Sequence, residues 1–296
     1  GKHLVDLESR KSFLSHIIGQ TSRSAQAERQ ALGNLQGNFS VIYRMINRFE
    51  HQLLEDDALR HCYFLFPGPG VTLSLHWKGE GKAKDNVKVW FLKLIRANQK
   101  NIAFNATLNL SQHICTSFQR IESLVNNSFH WEEIDRLLAL RRISNFWPIL
   151  LTVYPTNTAA EAEFRSILRL CEIVSLKVWG IGDFRADKAQ SDLIRIAQEC
   201  PGNACEIIRR MKSLLKWWDV PRRWDEGLRR PLFYYQGRDA RYVLFQYENF
   251  LRMNQGYPPI PYTDFDEMTI EHIAAQTGPE IKKTLLNLGE LSSPHS

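Results

Sequence analysis

Asn203-Ala204-Cys205-Glu206-Ile207-Ile208-Arg209-Arg210-Met211-Lys212-Ser213-Leu214-Leu215-Lys216-Trp217-Trp218 reads as one amphipathic helix. Asn203 is a good N-cap, and Glu206 stands three residues on, where a carboxylate can reach back to the cap. At about 100° per residue, Ile207, Ile208, Met211, Leu214, Leu215 and Trp218 share one face, while Arg209, Arg210, Lys212 and Lys216 share the other. The same 3.6-residue period recurs along most of the chain and sets the expected fold class: mainly α, a multi-helix body.

Upstream, helical spacing runs from about Ser24 to Glu55, with Gly33 and Gly37 placed to bend or divide it, and again over Val87 to Ala97 and Leu110 to Val125. Ser128 is placed to cap a helix carrying Trp131, Ile134, Leu137 and Leu138. Thr158 with Glu161 has capping-box spacing before Phe164, Ile167, Leu168, Cys171 and Val174. Val71 to Trp77 alternates like a short strand. The segment from Gly79 to Asp85 lacks the frame of a phosphate loop, and Gly180-Ile181-Gly182-Asp183 reads as a loop with no third glycine.

Downstream come Pro221-Arg222-Arg223-Trp224, Leu228-Arg229-Arg230-Pro231, and Tyr234 to Tyr242 with Arg238 and Arg241. These lead into a helix whose expected inward residues are Leu244, Tyr247, Phe250 and Leu251. Cations suit phosphates because each neutralised phosphate releases counterions, and aromatic rings suit exposed bases. Arg209, Arg210, Lys212, Lys216, Arg222, Arg223, Arg229, Arg230, Arg238 and Arg241 are therefore candidate DNA contacts. Asp219, Asp225, Glu226, Asp239 and Glu248 dilute the patch, so on charge alone DNA contact and a solvated basic face stand about even.

The net charge of +6 and pI near 9.1 suit a polyanionic partner. Eleven per cent aromatic residues, with eight Trp, exclude a disordered chain. No apolar run reaches a membrane span; the longest, Phe146 to Tyr154, holds Pro148. Five cysteines without a Cys-x-x-Cys pair, three of them in apolar patterns, indicate reduced thiols and a cytoplasmic location.

After the proline-rich connector Gln255 to Tyr262, Phe265 to Gln276 reads as a strand containing Glu271-His272. A neutral imidazole titrates near working pH and can deprotonate water, and a carboxylate can hold a divalent cation that neutralises phosphate charge. The pair by itself is weak evidence, because such dipeptides occur by chance.

The context is ordered: Gly237-Arg238-Asp239-Ala240-Arg241-Tyr242-Val243-Leu244, then Tyr247-Glu248-Asn249-Phe250-Leu251-Arg252, then Thr269-Ile270-Glu271-His272-Ile273-Ala274-Ala275-Gln276, then Leu288-Gly289-Glu290-Leu291. This resembles the C-terminal half of the GmrSD-type modification-dependent restriction proteins, including the phosphorothioate-sensing SspE-like relatives. It covers roughly the second half of the chain, and extends more loosely to Trp131 to Tyr154. The resemblance implies a helical region followed by a small HNH-like ββα-metal nuclease element, with Mg or Mn as the metal. His272 would be general base and Glu271 an acidic metal-site residue, with Glu290 and His295 as further candidate ligands. Glu290 stands where the family usually has Asn. The helix that normally closes the element is not in this sequence, so the expected element is incomplete.

The expected organisation is an N-terminal helical region over 1–127, a basic helical region over 128–262, and the start of the nuclease element over 263–296. The family's ParB-like domain, with its Asp-Gly-Gln-Gln-Arg motif, handles nucleotide and is not present; it is expected to precede this portion. The implied function is an anti-phage DNA endonuclease or nickase acting on modified or phage DNA, away from membranes, with homo-oligomerisation left open. The alternatives are a non-catalytic helical DNA-binding or regulatory module and a protein-interaction scaffold.

Overall fold

The computed structural model describes residues 4–46, 55–66, 83–126, 131–185, 189–229 and 238–267. Among them the regular structure is helical and contains no strand. The strand reading of Val71 to Trp77 and both strands of the expected ββα element lie outside the described residues, apart from Phe265 to Glu267.

The chain divides into two compact units, Gly1–Ala240 and Arg241–Ser296. In the first, α1 (Leu4–Thr21), α2 (Ala25–Ile46) and α5 (Lys100–Asn126) pack against one another. Their shared core includes Leu14, Ile17, Leu35, Phe39, Ile42, Leu110, Ile114 and Phe118. Gly33 and Gly37 do not divide α2 within its described length, because a glycine in a helix interior costs only about 1 kcal/mol and the packed face outweighs it. The pattern seen over Leu110 to Val125 is the later half of α5; its first turns hold Ala103, Ala106 and Thr107 against neighbours, small residues that a search for large apolar ones passes over.

Helix α3 (Glu55–Leu65) connects this group with α4 (Ala83–Arg96), α7 (Trp147–Thr152) and α9 (Gln190–Glu199). Pro148 sits in the first turn of α7, where a missing amide hydrogen leaves no bond unmade. Helices α6 (Glu132–Ala139) and α8 (Thr158–Val174) are joined by Glu133. Its carboxylate is almost fully buried and meets Arg165 at 3.2 Å and Arg169 at 3.4 Å, while Arg136 bonds Glu172 at 3.0 Å. The cap of α8 is one residue earlier than the Thr158–Glu161 pattern suggests. Asn157 accepts from the Ala160 amide at 3.0 Å, and Asn is among the strongest cap residues.

Gly180 to Asp183 does not begin as a plain loop. A π-helical segment, Ser175–Gly180, continues α8 and turns at Ile181 and Gly182. Helix α10 (Ala204–Trp217) packs on α8 and α9, capped as its sequence indicates by Asn203, which accepts from the Glu206 amide at 3.0 Å. Arg222, Arg223 and Trp224 lie on a helix, α11 (Val220–Leu228), with Pro221 in its first turn. Gly227 lets α11 approach the π segment, since a Cβ there would overlap the Ile181 carbonyl oxygen.

The second unit holds α12 (Arg238–Asn254) from Arg241 onward and α13 (Tyr262–Glu267). Its inward residues differ from the expected ones: Tyr247 and Phe250 are each 58% exposed, and Leu244 is exposed. The buried stripe is Tyr242 and Phe245, stacked on the rings of Tyr262 and Phe265. The physical reason is the connector. Asn249 donates to the Ile260 carbonyl at 3.1 Å and accepts from its amide at 2.8 Å, and Arg252 donates to the Pro258 carbonyl at 3.0 Å. Those polar side chains turn the 242–245–249–252 face inward. The strand expected from Phe265 begins as the last turn of α13, with Phe265 anchored against Phe245.

Candidate nucleic-acid interface

Helix α10 shows the two-faced pattern of its sequence. Ile207 and Met211 are buried, and Trp218, just past the helix, is 6% exposed. Arg209, Lys212, Ser213 and Lys216 are exposed along the opposite face. The helix is held at one end by the Asn203 cap and at the other by Trp218 in the core, so this face is presented on a fixed support.

Most of its guanidinium groups already have anionic partners. Arg209 meets both oxygens of Glu206, at 2.7 and 2.6 Å, and Arg210 donates to Glu206 at 2.8 Å and also pairs with Glu199. Two guanidinium donors hold the Glu206 carboxyl down to about 2, Arg209 contributing most. Arg209 and Arg210 are in turn pushed above the ordinary range by Glu206. On α11, Arg222 bonds Asp219 at 2.6 Å and Glu226 at 2.7 Å, and Arg223 lies over the Phe184 ring at 4.3 Å. Between residues 199 and 229 seven cationic side chains stand against five carboxylates, so field strength alone does not single out this surface.

Lys212, Lys216 and Arg229 differ. They are exposed and make no ion pair or hydrogen bond among the described residues. Exposed pairs such as Arg209–Glu206 contribute little, because water and salt screen them, so a phosphate can displace the carboxylate with little penalty. The surface therefore has two kinds of cation: the unpartnered Lys212, Lys216 and Arg229, and arginines held ready by weak, exchangeable pairs.

Of the other candidate contacts, Arg230 lies outside the described residues, and Arg238 is described only as the backbone start of α12. Arg241 has a local role in the second unit, donating to the Phe265 carbonyl at 2.9 Å beside that residue's ring. Glu271, His272, Glu290 and His295 all lie outside the described residues. Among the described residues, no group of three His, Cys, Asp or Glu is placed to hold a metal ion, and no helix is long and apolar enough to cross a membrane. Cys62, Cys115 and Cys171 are buried free thiols, with Cys62 pushed up to about 12 by burial.

Trp217 is a surface residue that the sequence reading did not single out. Its position directly after Lys216, and one turn after Ser213, marks it as belonging to the polar side, and it is 75% exposed. No family model, curated protein or solved structure matches the chain.

Proposed function

We propose that this chain is the helical DNA-binding and nuclease-bearing part of a modification-dependent restriction endonuclease. The observation that carries the reading is the ordered set of motifs from Gly237 to Leu291, with Glu271-His272 among them. The exposed Lys212, Lys216 and Arg229 support it, because unpartnered cations on an exposed surface are suited to phosphate contact. In this reading α10 and α11 position the DNA backbone. His272 takes the proton from the attacking water, and Glu271 with Glu290 supplies hard oxygen donors suited to Mg or Mn. The ion, when bound, neutralises charge on the phosphate.

A specific observation favours a second reading. Glu290 stands where the family's Asn is usual, so a non-catalytic DNA-binding or regulatory module has a residue-level motive. Both readings require DNA binding through α10. Binding measured across a salt series tests that shared requirement. The double variant Lys212→Ala, Lys216→Ala should weaken binding and reduce the slope of log K against log salt by roughly 2, since each phosphate contact contributes about 0.9. An unchanged slope would remove these lysines from the interface, and absence of binding at low salt would leave the scaffold reading.

A further inference from the structure

Trp217 is more exposed than any other large apolar side chain among the described residues, yet it does not sit on a frayed end. It closes a fourteen-residue helix whose next residue, Trp218, is buried. The chain then reverses through Asp219, which adopts the left-handed conformation at φ 53°, and re-enters the core at Val220. Successive helix residues point about 100° apart, so with Trp218 turned inward Trp217 is left outside. Trp217 is thus a flat aromatic surface held on a rigid support.

Its neighbours give that surface a chemistry. Lys212 and Lys216 are one helical turn apart on the same line of α10, with Cβ atoms about 5–6 Å apart by helix geometry. Ser213 lies between them and Trp217 around the helix. Bases in a duplex are stacked on one another and hidden from such a ring, whereas an unpaired strand offers both π-faces of each base along with its phosphates.

We infer that Trp217, Lys212 and Lys216 form a binding site for single-stranded DNA, the indole stacking on a base while the two ammonium groups contact backbone phosphates. The inference rests on the DNA reading above and sharpens it. At α10 the bound substrate is an unpaired strand, as is present wherever a duplex is opened, nicked or distorted.

The test compares the full chain with Trp217→Ala, Trp217→Phe and the double variant Lys212→Ala, Lys216→Ala. Each is titrated at low salt against a labelled poly-thymidine strand and a labelled hairpin duplex, with far-UV circular dichroism confirming that each variant is folded. Loss of one stacking contact should weaken single-strand binding by Trp217→Ala roughly 5- to 150-fold. Trp217→Phe should retain much of the affinity, and duplex binding by both should change little. The lysine variant should weaken binding to both DNAs and flatten their salt dependence. Equal losses on both DNAs with Trp217→Ala, or no loss on either, would overturn the stacking site. So would wild-type protein that binds the duplex but not the strand, which leaves the DNA reading intact. If the wild type binds neither DNA at low salt, the DNA reading fails and the inference with it, and a protein partner becomes the explanation for the exposed indole.

Discussion

The Arg142 guanidinium grips both oxygens of the Asp239 carboxylate, Nη1 to Oδ1 at 2.6 Å and Nη2 to Oδ2 at 2.8 Å. Arg142 precedes the 3₁₀ turn Ile143–Phe146, and Asp239 lies in the first turn of α12, ninety-seven residues on. The parallel fork is the strongest geometry open to this pair of side chains. Gly180 leaves room for it, since a Cβ there would stand 3.0 Å from Asp239 Oδ1. Asp239 also places negative charge at a helix N-terminus, where the backbone amides favour it.

Both members of that pair are only about one-fifth exposed, so removing one leaves a poorly solvated charge behind. Asp239→Ala should cost roughly 1–3 kcal/mol of unfolding free energy. A double-mutant cycle with Arg142→Ala, followed by urea unfolding, should return a coupling of at least about 1 kcal/mol. Additive losses would show that the fork contributes little beyond its separate side chains.

Glu206 restrains two arginines of the candidate interface. Glu206→Gln should release Arg209 fully and Arg210 from one of its two carboxylates. DNA binding should tighten, and its salt slope should steepen by about 0.9 for each additional phosphate engaged. Weaker binding by Glu206→Gln would mean that the carboxylate organises the arginines for DNA and does not compete with it.

The core fixes the sign of an acid response. His61 is fully buried, and burial first, then the neighbouring Arg60 charge, lowers it to about 3; the Ser144 backbone opposes this only weakly. His113 donates from Nε2 to the Cys62 carbonyl at 3.0 Å and is lowered to about 4, chiefly by burial. Both rings are neutral in the fold and take up protons near pH 6.5 when unfolded. The unfolded state therefore binds more protons between about pH 6.5 and 4, and stability falls as pH drops through that window. Each histidine contributes up to about 1.4 kcal/mol per pH unit. Unfolding curves across this range should flatten in His113→Gln, and an unchanged pH slope would contradict the assignment.

Asn249 is the residue that ties the proline connector to α12. Asn249→Ala removes two hydrogen bonds to Ile260 and should cost roughly 1–3 kcal/mol locally. Hydrogen exchange at the Ile260 amide reads this directly: protection should drop in the variant, while protection in α5 stays at its wild-type level.

The sequence made α10 legible because its cap, its apolar stripe and its basic face all agree. The free thiols of Cys62, Cys115 and Cys171 followed from their apolar surroundings in the same way. The parts that were not legible depend on distant partners. Nothing local marks Arg142 as the mate of Asp239. The inward face of α12 is decided by Ile260 and Pro258, which pull Asn249 and Arg252 inward and leave Tyr247 and Phe250 outside. Helix α11 was hidden by Pro221 and its arginines, although proline in a first turn is compatible with a helix. Trp217 and Trp218 are adjacent in sequence, and the step of about 100° per residue puts Trp218 with the apolar stripe and Trp217 beside Ser213. As for the candidate site, the basic face was legible residue by residue, but its division into paired and unpartnered cations required the geometry.

The most direct test of the nuclease reading is a plasmid-nicking assay on the full chain with Mg or Mn, comparing wild type with His272→Ala. The predicted result is conversion of supercoiled to open-circular DNA by the wild type and its loss in His272→Ala, with DNA binding retained in both. Equal nicking by the two proteins, or no nicking by wild-type protein that demonstrably binds the plasmid, would contradict it.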